Sequence, residues 1–153
     1  MTIARVESAE QLAQVRKLFE QYWASFGFTP GFQNFGAEVA GLPGAYGPPN
    51  GRLALATVEG EAAGCAALRR FDAERCEAKR LYVRPEFRGA GTGRALIDWL
   101  IAEARAAGYR EMLGDTMPAM ERALEMYRRM GFEVTGPYAA DPTPGAIFLR
   151  LRL

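Results

Sequence analysis

The sequence predicts one α/β domain of the α+β kind, with about seven strands and three to four helices around a single core. Three observations predict it. The 153 residues are about one domain's worth of chain, long enough to bury roughly 68 to 70% of the unfolded surface. Segments alternating with period two are interleaved with stripes of helical period, and no linker or internal repeat divides them. Apolar residues at 49% and charged residues at 24% are ordinary for a globular protein, which argues against disorder, collagen, coiled coil and membrane insertion.

The elements follow in order. Thr2 to Glu7 alternates as a strand, and Ser8-x-x-Gln11 is a capping box before the helical stripe Leu12, Val15, Leu18, Phe19, Tyr22 and Phe26. From Gly27 to Gly51, 7 Gly and 4 Pro fall within 25 residues, interleaved with Phe28, Phe32, Phe35 and Tyr46. Connections this long are usually functional or disordered. The four rings favour an ordered cover over a binding site, or else rings that fill the core, with a short helix possible at Phe35 to Gly41.

Arg52 to Val58, Ala62 to Arg70 and Glu77 to Val83 read as an antiparallel meander, the first turn at Glu59-Gly60 and the polar stretch Asp72 to Cys76 as the second connection. Pro85 stops the third strand. A glycine turn, Arg88 to Gly93, leads into a helix with the apolar face Leu96, Ile97, Leu100, Ile101 and Ala104, ended by Gly108. Glu111 to Thr116 is the next strand. Pro118 suits a first helical position before the stripe Met120, Ala123, Leu124, Tyr127 and Met130. Phe132 to Pro137 and Ala146 to Leu153 supply the last two strands, around a loop from Asp141 to Gly145.

Composition excludes some chemistry outright. The chain has no histidine and only Cys65 and Cys76, whose spacing fits no metal site, so Cys/His zinc binding and every Ser-His or Cys-His nucleophile pair are ruled out. Acid-base work falls to Glu, Asp, Lys, Tyr or Cys. No apolar run approaches a spanning helix and Met1 to Glu10 carries no export signal, so a cytoplasmic location is expected. The net charge of +1 disfavours nucleic acid as a partner, but Arg69 to Arg94 holds eight bases against four acids, a local +4. That excess suits a small polyanion such as a nucleotide, with a solvated charged face as the plainer reading.

The turn Arg88 to Gly93 places Gly89, Gly91 and Gly93 just before a helix N-terminus, where free N–H groups and the helix dipole attract an anion such as pyrophosphate. A dinucleotide fingerprint would need Gly or Ala where Arg94 or Leu96 stands, and the Walker Lys-Ser/Thr pair is absent.

The run from Glu77 to Ile97, EAKRLYVRPEFRGAGTGRALI, closely resembles the acyl-CoA-binding core of the GNAT superfamily of N-acetyltransferases. Arg88, Gly91 and Gly93 match its phosphate signature, and Ala123 through Tyr127 to Gly131-Phe132 resembles its later helix. The likeness runs from about Arg52 to the C-terminus. It implies a mixed sheet that splays between the strands Glu77 to Val83 and Glu111 to Thr116, with the pantetheine arm of acetyl-CoA in the opening. It implies pantetheine pairing by Leu81, Tyr82 and Val83, and pyrophosphate held by N–H groups of Arg88, Gly89, Ala90, Gly91, Thr92, Gly93 and Arg94. Thr92 stands where many relatives carry an aliphatic residue.

For the chemistry, the resemblance implies an oxyanion donor at the N–H of Tyr82 or Val83. Glu77 is the implied base, acting through water, or else an ion-pairing residue beside Lys79 or Arg80. Tyr127, four residues before the Gly-Phe pair, is the implied acid for the thiolate, or else core packing. The activity implied is direct transfer of acetyl from acetyl-CoA to a primary amine on a small molecule, without a metal, by a monomer or homodimer. The competing reading is a non-catalytic acyl-CoA sensor or partner-binding module.

Overall fold

A computed structural model describes residues 1–27, 34–118, 120–139 and 144–153. Ser8 caps the first helix, α1 (Ala9–Ala24), by accepting from the Gln11 amide, while the Gln11 side chain accepts from the Ser8 amide. Val15, Leu18, Phe19 and Trp23 form its buried face. A short helix, α2 (Phe35–Ala40), follows, then a single 3-10 turn, Gly44–Tyr46.

Seven strands form one sheet among the described residues: β1 (Thr2–Arg5), β2 (Arg52–Val58), β3 (Glu61–Arg70), β4 (Arg75–Val83), β5 (Glu111–Thr116), β6 (Glu133–Thr135) and β7 (Ile147–Arg152). Their order is β1-β2-β3-β4-β5-β7-β6. Every pairing is antiparallel except β4 with β5, which are parallel and joined across α3 (Thr92–Ala106), the crossover helix such a pair requires. The last helix, α4 (Glu121–Arg129), joins β5 to β6.

Two apolar clusters lie on opposite faces of the sheet. Leu96, Ile97, Leu100, Ile101 and Ala104 of α3 pack on Ala54, Ala66, Leu68, Cys76 and Met112, with Leu124, Tyr127 and Met130 of α4 alongside. On the other face, α1 and α2 pack Phe19, Trp23, Phe35 and Val39 against Leu53, Leu55, Cys65, Ala67 and Tyr82.

Several boundaries differ from expectation, the following among them. β4 begins at Arg75, because the Asp72 carboxylate accepts from the amides of Glu74 and Arg75 and turns the chain so sharply that Cys76 can pair with Arg70. The last helix starts at Glu121 rather than Pro118, since the Met120 amide donates to the Met117 carbonyl and closes a separate turn first. β6 is confined to three residues.

In the Gly27 to Gly51 segment, Phe28 and Phe32 lie outside the described residues. Phe35 and Tyr46 are core residues and not a cover. Phe35 is 2% exposed and stacks on Trp23 at 4.3 Å with the rings 3° from parallel. Phe35→Ala should therefore cost about 3 to 5 kcal/mol and lower the Tm by on the order of 10 °C in thermal denaturation. An unchanged Tm would place the ring outside the core.

Candidate active site

β4 and β5 share only three rungs, Arg75 with Glu111, Cys76 with Met112 and Glu77 with Leu113. Beyond Glu77 both strands continue without pairing, so the sheet opens as the resemblance implied. On its other side β4 stays bonded to β3, through a bulge: Cys65 pairs with Tyr82 and Ala67 with Lys79, leaving Arg80 and Leu81 opposite Ala66 alone. Arg80 takes the left-handed conformation, φ 60°. A side chain there costs roughly 1 to 3 kcal/mol and is retained only where its surroundings hold it.

Gly64 lets the strands meet at this point. A Cβ on Gly64 would lie 2.6 Å from the Tyr82 carbonyl oxygen. Residues 78–81 of β4, Leu81 among them, line the opening, while Tyr82 and Val83 pair with Cys65 and Gly64 of β3.

At the mouth of the opening lies the glycine turn. Gly89 and Gly91 have φ of +89° and +83°, and a Cβ on either would meet no protein atom within 4 Å. The Ala95 amide is the first to close a helical bond, onto the Gly91 carbonyl. Among the described residues the amides of Gly89 and of Gly91 to Arg94 donate to no backbone carbonyl. They crown the N-terminus of a 15-residue helix, where the dipole adds its positive end. The Thr92 hydroxyl is buried without a hydrogen-bond partner, so the residue is held by packing and offers its amide. Arg88 folds back, donating from Nε to the Val83 carbonyl at 2.8 Å. An amide-lined turn with no Cβ at Gly89, Gly91 or Gly93 fits the pyrophosphate of coenzyme A.

Where β4 and β5 part lies a cleft partly open to solvent. Tyr22, Trp23 and Phe26 wall it from α1 and the turn after it, residues 78–81 from β4, Asp115 and Thr116 from β5, and Tyr127 from α4. Tyr127 packs edge-to-face on Phe132 at 5.2 Å. Burial of its hydroxyl, with smaller contributions from Tyr22 and Asp115, pushes its pKa well above the ordinary phenol value. It is a proton donor across the neutral range.

Glu77 does not line the cleft. It is 3% exposed on β4, and its carboxylate accepts from Arg69 Nε at 2.8 Å while Lys79 approaches to 4.0 Å. A second ion pair binds Arg80 to Glu38 of α2 through two hydrogen bonds, at 2.8 and 3.0 Å. Burial works against the Arg80 charge, but the Glu38 bonds and nearby tyrosines outweigh it and raise its pKa. The rings of Tyr22, Trp23 and Phe35 lie 5.2 to 5.9 Å from its guanidinium carbon. These contacts hold the bulge residue in its left-handed conformation.

The α1 rings and Asp115 escaped the sequence reading. A charged residue on a strand central to a buried sheet was the available signal, but which face it occupies depends on register. The thiols are poor nucleophiles, since both cysteines are fully buried and burial pushes Cys76 up to about 12 and Cys65 further. No group of three or more His, Cys, Asp or Glu among the described residues could hold a metal ion. None of the described helices is long and apolar enough to cross a membrane.

The family model of the acetyltransferase (GNAT) family matches residues 12–132. An uncharacterized N-acetyltransferase of Schizosaccharomyces pombe is 36% identical over all of this chain and 95% of its own length. An acetyltransferase from Streptococcus agalactiae has the same fold, with a TM-score of 0.83 at 21% identity over 99% of this chain and 98% of its own. A structure from Salmonella typhimurium, solved with acetyl-CoA as its cofactor, superposes with a TM-score of 0.73 at 21% identity, over 99% of this chain and 93% of its own. Together with the opened sheet and the glycine turn, these likenesses show that the chain belongs to the acetyltransferase (GNAT) family and is an acetyl-CoA-dependent acyltransferase.

Proposed function

We propose that residues 1–153 act as one acetyltransferase domain that moves an acetyl group from acetyl-CoA directly to the primary amine of a small molecule. The observation that carries this reading is the continuity of three features: the amide-lined turn, the unpaired edge of β4, and a cleft with a protonated tyrosine on its wall. In this reading the amides of Arg88, Gly89, Ala90, Gly91, Thr92, Gly93 and Arg94 hold the pyrophosphate. Leu81, Tyr82 and Val83 pair with pantetheine, and the local +4 charge favours the nucleotide end.

Bound acetyl-CoA supplies the acetyl group as a thioester. The N–H of Tyr82 or Val83 stabilises the developing oxyanion, and Tyr127 protonates the departing sulfur. An acceptor ammonium gives up two protons: one leaves through water to Glu77, and the other restores Tyr127. Glu77 works through water because Arg69 and Lys79 hold it behind the cleft wall. Glu77→Gln keeps the size and a hydrogen-bond acceptor for Arg69, and should lower kcat/KM and change its pH profile. An unchanged profile would make Glu77 a structural partner of Arg69.

The protein is expected to work in the cytoplasm as a monomer or homodimer, without nucleic acid or metal. Incubation with acetyl-CoA and a panel of primary amines, read by thiol release, tests the activity. Tight acetyl-CoA binding with no thiol released for any amine would favour a sensor instead.

A further inference from the structure

Six charged side chains cluster around the opening: Glu38, Arg69, Glu77, Lys79, Arg80 and Asp115. Four are matched at hydrogen-bond distance, Arg69 with Glu77 and Arg80 with Glu38. Two are left over. Lys79 comes no closer than 4.0 Å to Glu77, and Asp115 forms no hydrogen bond or ion pair among the described residues. Both line the cleft.

Register explains their relation. Glu77 and Leu113 form the last β4-β5 rung, and side chains two residues on return to the same face. Continued pairing would set Lys79 directly against Asp115, but the strands have parted there. Lys79 lies on the α1 side, since its partner Ala67 belongs to the cluster beneath α1. Asp115 lies there too, since Met112, three residues before it on β5, faces α3. The opening therefore separates a cation and an anion that an unbroken sheet would join. Burial, with Arg80 and Arg69 nearby, lowers the Lys79 pKa more than Glu77 and Asp115 restore it, and the ammonium's one ion pair among the described residues is the 4.0 Å contact to Glu77.

Resting on the proposed transfer to an amine, we propose that the acceptor is a free amino acid, whose ammonium binds Asp115 and whose carboxylate binds Lys79. A zwitterion replaces both missing partners at once, and its side chain meets the rings of Tyr22 and Trp23. A simple alkylamine satisfies Asp115 alone and leaves Lys79 with only the long contact to Glu77, whose carboxylate is already bonded to Arg69.

The test compares phenylalanine and leucine with their carboxamides, which keep the amine and remove the carboxylate charge. In the unmodified protein the acids should exceed the amides in kcat/KM by about 10- to 100-fold, the worth of one charge-assisted hydrogen bond. Lys79→Met should bring the acids down to the level of the amides, and Lys79→Arg should restore the preference. Asp115→Asn should raise the KM of acids and amides alike by roughly tenfold or more while acetyl-CoA affinity stays the same.

Equal rates for acids and amides would overturn the proposal, as would a Lys79→Met variant that keeps the preference. Turnover of polyamines or arylamines with none of these amino acids would overturn it too, while leaving acetyl transfer intact. If no amine is acetylated, calorimetry of phenylalanine and its amide against the coenzyme A-loaded protein still decides it. Preferential binding of the acid, lost in Lys79→Met, supports the site, and its absence refutes it.

Discussion

Tyr127→Phe is expected to lower kcat by roughly 10²- to 10⁴-fold, the range typical of lost general acid-base catalysis. The substitution removes one oxygen and keeps the ring that packs edge-to-face on Phe132. Acetyl-CoA affinity and Tm should therefore barely move, and the loss should appear equally in kcat and kcat/KM. The pH dependence gives a second reading. A phenol whose pKa is raised by burial keeps its proton to higher pH than the ordinary value of about 10. The kcat profile should thus show no alkaline loss from this group below about pH 10. Full kcat in the Phe variant, under conditions where chemistry limits, would assign Tyr127 to packing and leave water as the donor.

Gly91→Glu is expected to lower acetyl-CoA affinity by roughly 10²- to 10⁴-fold, equivalent to losing two charge-assisted hydrogen bonds. The effect is aimed at the bound anion. A Cβ on Gly91 meets no protein atom within 4 Å, so the new side chain enters the space that a pyrophosphate would occupy and brings a negative charge. Its φ of +83° adds backbone strain for any residue with a Cβ. Gly91→Asn controls for that, since Asn tolerates the left-handed region and carries no charge. Calorimetry should find Asn far closer to the parent than Glu. Unchanged affinity in a folded Glu variant would remove the pyrophosphate from this turn.

Local signals in the chain were strong where one residue type has few physical alternatives. Ser8 and Gln11 marked the start of α1, the α3 stripe named its buried residues from Leu96 to Ala104, and Gly89, Gly91 and Gly93 marked the turn before that helix. The glycine turn and the two strands that part were legible from a single run, Glu77 to Ile97. What escaped depends on contacts distant in sequence. Nothing local separates a ring that covers a cleft from one that fills a core, and Phe35 went to the core because Trp23, twelve positions earlier on another helix, stacks against it.

For Glu77 the sequence left two readings, a base acting through water or an ion-pairing residue beside Lys79 or Arg80, and it did not point to Arg69 as the main partner. The antiparallel register of β3 on β4 sets Arg69 against it, and that pairing is set by the Asp72 turn and the bulge at Arg80 together. Asp115 was passed over for the same reason. Its face on β5, and its position opposite Lys79, follow from a rung at Glu77 and Leu113 that no local pattern announces.

A single-turnover experiment with acetyl-CoA labelled in the acetyl group tests direct transfer within the opened sheet. With no histidine, both cysteines buried and their thiols pushed to high pKa, the chain offers no ready nucleophile to carry the acetyl group. The expected result is label passing from acetyl-CoA to the amine at one equivalent per thiol released, with none retained on the protein at any time. Label accumulating on the protein before the amine is acetylated, or label that never leaves acetyl-CoA whatever amine is supplied, would contradict it.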